Sequence, residues 1–256
     1  RKGIKRLSEL SLWLAFVLLV FILLTGPVVF LLKTSVNSIG LMLDNLLRMS
    51  SWTDAFTDSG FVENWTVFYW AWWIAYAPFM GLFVARISRG RTIRGVIGAN
   101  LVWGSLGCWL FFAVFGNTAM HFELNGVVPV MDIMNASSAQ AAIVAVIEAL
   151  PLGSFILILF IVMCFIYSAT TLESSAYTIS AVASRDLVAG EAEPWRWNRL
   201  FWAVALGSVA LGLMYLGGLR PLQTAAVIVA VPLVFVISLS VLSLLRWLEE
   251  DASGEA

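Results

Sequence analysis

The chain has 256 residues, of which 61% are hydrophobic and 12% charged, with a formal net charge of −1. That much apolar surface excludes a soluble domain and points to an all-α integral membrane protein, since a helix satisfies its own backbone in lipid. Two cysteines inside apolar runs and a single histidine exclude a disulfide framework or a cysteine-rich metal site, and no nucleic-acid partner is expected.

The basic opening Arg1-Lys-Gly-Ile-Lys-Arg6 leads into a first apolar run over residues 11–32. About 22 residues is spanning length, longer than a signal-peptide core, and the chain reads as part of a larger protein. Residues 35–49 set Val36, Ile39, Leu43, Leu46 and Leu47 on one side and Asn37, Asp44 and Arg48 elsewhere. This pattern predicts an amphipathic helix in the outer interface or against a neighbour. With the loop that follows it forms a connector over residues 35–64.

The second run, residues 65–87, opens on Trp65-Thr-Val-Phe-Tyr-Trp-Ala-Trp-Trp-Ile-Ala-Tyr76. Trp65, Tyr69, Trp72 and Tyr76 fall at i, i+4, i+7 and i+11, one face of a helix. Ring quadrupoles attract a quaternary ammonium cation, which has no N–H to donate and escapes ordinary hydrogen bonding. Trp73 joins this ligand-facing set. An interfacial aromatic belt would explain Trp65, but Tyr76 lies about 16 Å further along the axis. Plain helix packing is the other alternative, and membrane helix contacts favour small residues over tryptophan.

Ala77-Pro78-Phe79-Met80-Gly81 follows. Proline removes a backbone donor, so a kink or an opened helix is expected here, and broken helices are how transporters expose backbone to substrate. Arg86-Ile-Ser-Arg-Gly-Arg-Thr-Ile-Arg94 reads as a cytoplasmic anchor and also as a gate through Arg86, Arg89 and Arg91. A third run covers residues 95–115. The loop over 121–148, which begins at His121, carries no Lys or Arg. Residues 138–150 predict a short external or re-entrant helix stopped by Pro151 and Gly153.

The fourth run, residues 154–183, exceeds what a bilayer needs and must tilt, bend or protrude. It carries the polar stretch Tyr167-Ser-Ala-Thr-Thr-Leu-Glu-Ser-Ser-Ala-Tyr177, with the only carboxylate in any of the runs, Glu173. Such residues face a bundle interior or a water path. Thr170 and Thr171 are hard oxygen ligands suited to a small alkali cation, or else they bond back to their own helix. Glu173 is a gating candidate that could pair with a cytoplasmic arginine. Runs over 200–216 and 222–248 complete six spans, and the acidic tail 249–256 is expected to fray.

If the six spans alternate, 12 of the 15 Lys and Arg fall on one side. The other side holds only Lys33, Arg48 and Arg220. The positive-inside rule then puts both chain ends in the cytoplasm.

Trp65-Thr-Val-Phe-Tyr-Trp-Ala-Trp-Trp73, Ala77-Pro-Phe and Ala85-Arg-Ile-Ser-Arg-Gly-Arg-Thr92 together resemble the signature of the betaine/carnitine/choline transporter family. Leu216-Gly-Gly-Leu-Arg-Pro-Leu-Gln-Thr224 is similar to the carnitine exchangers. The resemblance implies an inverted-repeat (5+5) secondary transporter in the cytoplasmic membrane of a bacterium, commonly a homotrimer. Residues 1–34 would be the last span of the first repeat, 35–64 the amphipathic connector, 65–248 the whole second repeat of five helices, and 249–256 a short tail. The N-terminal half, with part of the pocket, would be missing. By position, Trp72, Trp73 and Tyr76 match the trimethylammonium box, and Trp65 and Tyr69 an outer aromatic site. Met80 matches a methionine near the substrate carboxylate in sodium-independent exchangers. Thr170 and Thr171 match a sodium site of the coupled members. In the exchangers the second of these is apolar, and Tyr76 is exchanger-like, so the coupling signals are mixed.

The expected function is secondary transport of glycine betaine, carnitine or choline, with no covalent chemistry and no cofactor beyond sodium as a coupling ion. Sodium-coupled uptake is favoured by the threonine pair. The alternatives are sodium-independent carnitine/betaine antiport and, from another class, a betaine-binding osmosensor that moves nothing.

Overall fold

The computed structural model describes residues 2–184, 194–217 and 219–254, without the side chains of residues 2–5, 86, 217, 219 and 252. Every regular element among them is helical: α1 (Lys2–Thr25), α2 (Val28–Asp44), α3 (Leu46–Ser50), a π-helical turn π1 (Val62–Val67), α4 (Phe68–Ile87), α5 (Ile93–Phe111), a second π turn π2 (Phe112–Gly116), α6 (Asn117–Leu124), α7 (Val130–Ala136), α8 (Ala139–Glu148), α9 (Gly153–Val182), α10 (Arg196–Gly217) and α11 (Leu219–Ser253). Among the described residues six segments are long and apolar enough to cross a membrane: Arg6–Thr25, Val62–Ala85, Ile93–Leu124, Gly153–Val182, Arg196–Leu216 and Arg220–Asp251. The chain is therefore an all-α, multi-pass membrane protein.

Four boundaries differ from the sequence reading. The first span ends at Thr25, because Gly26-Pro27 breaks the helix. A Cβ at Gly26 would sit 2.6 Å from the Ile22 carbonyl oxygen, and Pro27 has no N–H to continue the ladder. The connector helix accordingly starts at Val28; apolar Val28–Leu32 hid the break. Second, α4 runs through Pro78 as one helix rather than two halves. Proline costs a single helical hydrogen bond there, and the flanking turns persist. Third, α5 continues through π2 into α6, so His121 lies in a last helical turn and not in a loop. Fourth, α11 stays helical to Ser253, where fraying was expected. The new bounds also bring Glu9, Glu63, Glu123, Glu249, Glu250 and Asp251 into spanning segments near their ends, so Glu173 is not the only carboxylate there.

The chain divides into two compact units, and α9 contributes to both. The first comprises Arg1–Ser50 and Arg91–Glu173. Its core joins Ala15, Leu18 and Ile22 of α1 with Val114 of π2, Ile147 of α8, Leu150, and Ile156 and Met163 of α9. The α1 residues recur at i, i+3 and i+7, one helical stripe. In lipid such contacts hold by close packing, since the tails are as apolar as leucine. A polar clasp ties α2 to α6: the Asn117 amide donates to Ser35 Oγ at 3.1 Å, and that hydroxyl donates to the Leu31 carbonyl at 2.6 Å.

The second unit comprises Ser51–Gly90 and Ser174–Ala256. Its most extensive helix pair is α4 on α11. Ala71 in α4 is 6% exposed and Ala230 in α11 is 4% exposed. Small side chains let two backbones approach, the usual solution where lipid gives no hydrophobic drive. The end of α9 is pinned to α10 by the Asn198 amide, which donates to the Ser180 carbonyl and to Ser184 Oγ, both at 3.1 Å. The Arg199 guanidinium lies 5.5 Å from the centre of the Tyr177 ring.

Candidate functional site

The packing of α4 decides where its rings point. At about 100° per residue, Ile74, Ala75 and Pro78 share a face with Ala71, which is 6% exposed. Trp65, Tyr69, Trp72, Trp73, Tyr76 and Met80 fall within roughly a 100° arc on another face. Trp72 is 49% exposed and Trp73 65% exposed. The aromatic face thus lies away from the face that carries buried Ala71. Within this unit the face is open, and no closed aromatic box forms among the described residues.

The rings organise themselves into a ladder. Trp65 and Tyr69 are near-parallel, 5.9 Å apart at 8°. Tyr69 and Trp72 follow at 5.9 Å and 44°, and Phe68 stacks on Trp72 at 5.7 Å and 22°. Tyr76 instead pairs with Phe79 at 5.3 Å. The structure therefore brings Trp65, Tyr69 and Trp72 into one ladder, sets Tyr76 one step deeper, and places Trp73 and Met80 at the edge of the arc. Phe68 and Phe79 were not singled out from the sequence, although both stand within four residues of a chosen ring.

The ladder also runs outward. Phe61 lies 6.4 Å from Trp65 at 29°, and Trp52 lies 6.0 Å from Phe61. The i, i+4 relation of Phe61 to Trp65 was legible in the sequence; the return of Trp52 was not, because a loop carries it. That loop is knotted on Asp54, whose carboxylate accepts from Thr57 Oγ1, Ser59 Oγ and the Ser59 N–H, the last at 2.7 Å. Ser59 Oγ in turn accepts from the Phe61 N–H at 3.3 Å. The hydroxyl of Ser59 first, then that of Thr57, hold the Asp54 carboxyl below its ordinary value of 3.8.

The arginine segment forms a tight turn. Ser88 closes α4, Gly90 takes a φ of 81°, and Thr92 caps α5 by accepting the Gly95 N–H at 3.2 Å. Such a cap is worth about 1 kcal/mol. Arg89 and Arg91 are exposed. The side chain of Arg86, a gating candidate, and all of Arg185 lie outside the described residues.

Thr170 and Thr171 belong to the first unit. The Thr170 hydroxyl donates to the carbonyls of Ile166 and Tyr167 at 2.9 and 3.0 Å, the back-bonded geometry. Thr171 is exposed and Glu173 half-buried on the same helix. Among the described residues no cluster of His, Cys, Asp and Glu is arranged to hold a metal ion.

Comparison with known proteins follows the same lines. A family profile described as betaine/carnitine/choline family transporter matches residues 1–253. An uncharacterised transporter, YeaV, of Escherichia coli (strain K12) is 37% identical over 250 residues, covering 97% of this chain and 52% of that protein. A carnitine transporter of Acinetobacter baumannii (strain ATCC 19606) is 36% identical over 251 residues, covering 98% of this chain and 46% of its own. The chain spans about half the length of these relatives.

Proposed function

The chain belongs to the betaine/carnitine/choline family of transporters, and on that premise we propose that it carries a trimethylammonium compound across a membrane by secondary active transport. The ring face of α4, on which Trp72 and Trp73 are exposed, is the observation that carries this reading. A desolvated cation over such a ring gains roughly 1–2 kcal/mol. Several contacts of that size capture a substrate yet let it go. The name of the Acinetobacter relative supports carnitine as one candidate beside glycine betaine and choline. The remaining pocket walls would come from a first repeat, and two repeats rocking about the site would give alternating access. A bacterial cytoplasmic membrane, both chain ends inside and a homotrimer complete the reading.

Sodium-coupled uptake is the preferred coupling, supported by two adjacent hydroxyls at Thr170 and Thr171. A second reading, sodium-independent antiport of carnitine with a related betaine, is favoured by Met80 and Tyr76. Arg89, Arg91 and Glu173, with Arg86, would serve a cytoplasmic gate. The test is flux: the full-length protein in vesicles should accumulate labelled betaine, carnitine or choline, faster with sodium outside. Indifference to the gradient, with stimulation by substrate inside, selects exchange. Saturable binding without accumulation would replace transport by sensing.

A further inference from the structure

Contacts inside the first compact unit set the chain's single histidine between two partners. His121 lies in the last turn of α6 and is half-buried. On one side its Nδ1 stands 3.2 Å from the side-chain amide nitrogen of Asn125, and the same amide donates to the His121 carbonyl at 2.8 Å. Asn125 also ends α6, its backbone N–H donating to that carbonyl at 3.1 Å. On the other side the imidazole lies 5.0 Å from the centre of the Phe30 ring of α2, tilted by 55°.

The two partners suit different charge states. The Asn125 amide has two hydrogens, one for the carbonyl and one for Nδ1. It is satisfied by a neutral ring that carries its proton on Nε2. A charged imidazolium has a hydrogen on both nitrogens, so Nδ1–H meets the amide N–H head-on. Turning the amide over would set its oxygen against the His121 carbonyl. Asn125 therefore releases a charged ring. Phe30 does the reverse, because an aromatic ring attracts a cation within about 6 Å of its centre.

Among the described residues, the charged groups on the elements packed against α6 are Lys33 and Asp44 of α2, Asp132 of α7 and Glu148 of α8, with Glu123 on α6 itself. Asp44 stands about 21 Å along α2 from Phe30, and the Glu123 carboxylate accepts the Met131 N–H at 3.1 Å. Lys33, three residues from Phe30, repels a charged ring, and the carboxylates of Asp132 and Glu148 attract it. A separate contact keeps the helices together whatever the charge. Four residues back along α6, the Asn117 amide donates to Ser35 Oγ at 3.1 Å, and neither group titrates.

We propose that His121 is a proton-operated latch: neutral, it closes the end of α6 through Asn125, and charged, it leaves Asn125 and ties α6 to α2 through Phe30. The latch sets how firmly the connector helix is held to the third span. It acts between about pH 5 and 8, where imidazole ordinarily changes charge, and it does not depend on which compound the protein carries.

Amide hydrogen exchange of the full-length protein at about pH 5.5 and about pH 8, corrected for the intrinsic rate at each pH, tests it. Residues 28–34 should exchange roughly two- to fivefold more slowly at the lower pH, and residues 122–126, at the end of α6, faster. A general effect of acid would move both segments in the same sense. His121→Gln should abolish both responses. Phe30→Leu should remove the response of α2 and keep that of α6, and Asn125→Ala should do the converse. Should His121→Gln fold poorly, the two partner variants decide alone. Responses of the same sign in the two segments, no response in either, or an α2 response that survives His121→Gln or Phe30→Leu overturns the latch.

Discussion

At the residue scale, a ring's value depends on whether it has another job. Trp72 and Trp73 are 49% and 65% exposed, whereas Ala71 on another face of α4 is 6% exposed. Trp72→Ala or Trp73→Ala should therefore leave folding intact and weaken substrate binding by roughly 1–2 kcal/mol each, about five- to thirtyfold. Unchanged affinity in both would remove the box assignment. Asp54 gives a pH test. Its folded carboxyl lies below the ordinary 3.8 because Ser59 and Thr57 donate to the charged form. The stabilisation it brings is complete above the unfolded value and is lost as pH falls through the lower folded value. Amide exchange over residues 51–61 should thus accelerate below about pH 4, and Asp54→Asn should show fast exchange at every pH. The sequence made the i, i+4, i+7 ring positions legible because periodicity is a backbone property. It could not make Trp52 or the Asp54 knot legible, since left-handed aspartates are set by hydrogen bonds across a loop.

At the element scale, hydropathy located six spans but misplaced their ends. Gly26-Pro27 was passed over because Val28–Leu32 is as apolar as the span before it; the break lies in backbone sterics, which hydropathy does not weigh. At Pro78 a kink or an opened helix was expected, and α4 is not opened there. A proline costs one hydrogen bond, and a helix with packed turns on both sides tolerates the loss. The α4–α11 contact offers the cleanest element-level test. Ala71→Leu inserts a branched side chain where 6% of the alanine is exposed. Overpacking of this kind costs about 1–3 kcal/mol, so the thermal midpoint should fall. Because the ring face points elsewhere, choline affinity at low temperature should change little. A large loss of affinity with no loss of stability would mean that the face assignments are reversed.

At the scale of the whole molecule, the chain spans about half the length of its relatives. Family membership was legible in the sequence because the ring run and the Arg86–Arg94 segment are both dense and colinear. Coupling was not, because Thr170 and Thr171 favour one ion chemistry and Met80 the other, and the Thr170 hydroxyl is back-bonded. Thr171→Leu should abolish any sodium dependence of uptake while leaving exchange; persistent sodium dependence would remove this threonine from the ion site. The central claim concerns the charge on the methylated nitrogen. It is tested most directly by comparing choline with its neutral isostere, in which a tert-butyl group replaces trimethylammonium, as ligands of the full-length protein. Cation–π capture predicts that the isostere binds at least tenfold more weakly, about 1.4 kcal/mol, and that the gap narrows when Trp72 is replaced by leucine. Equal affinity for the charged and uncharged ligands would contradict it.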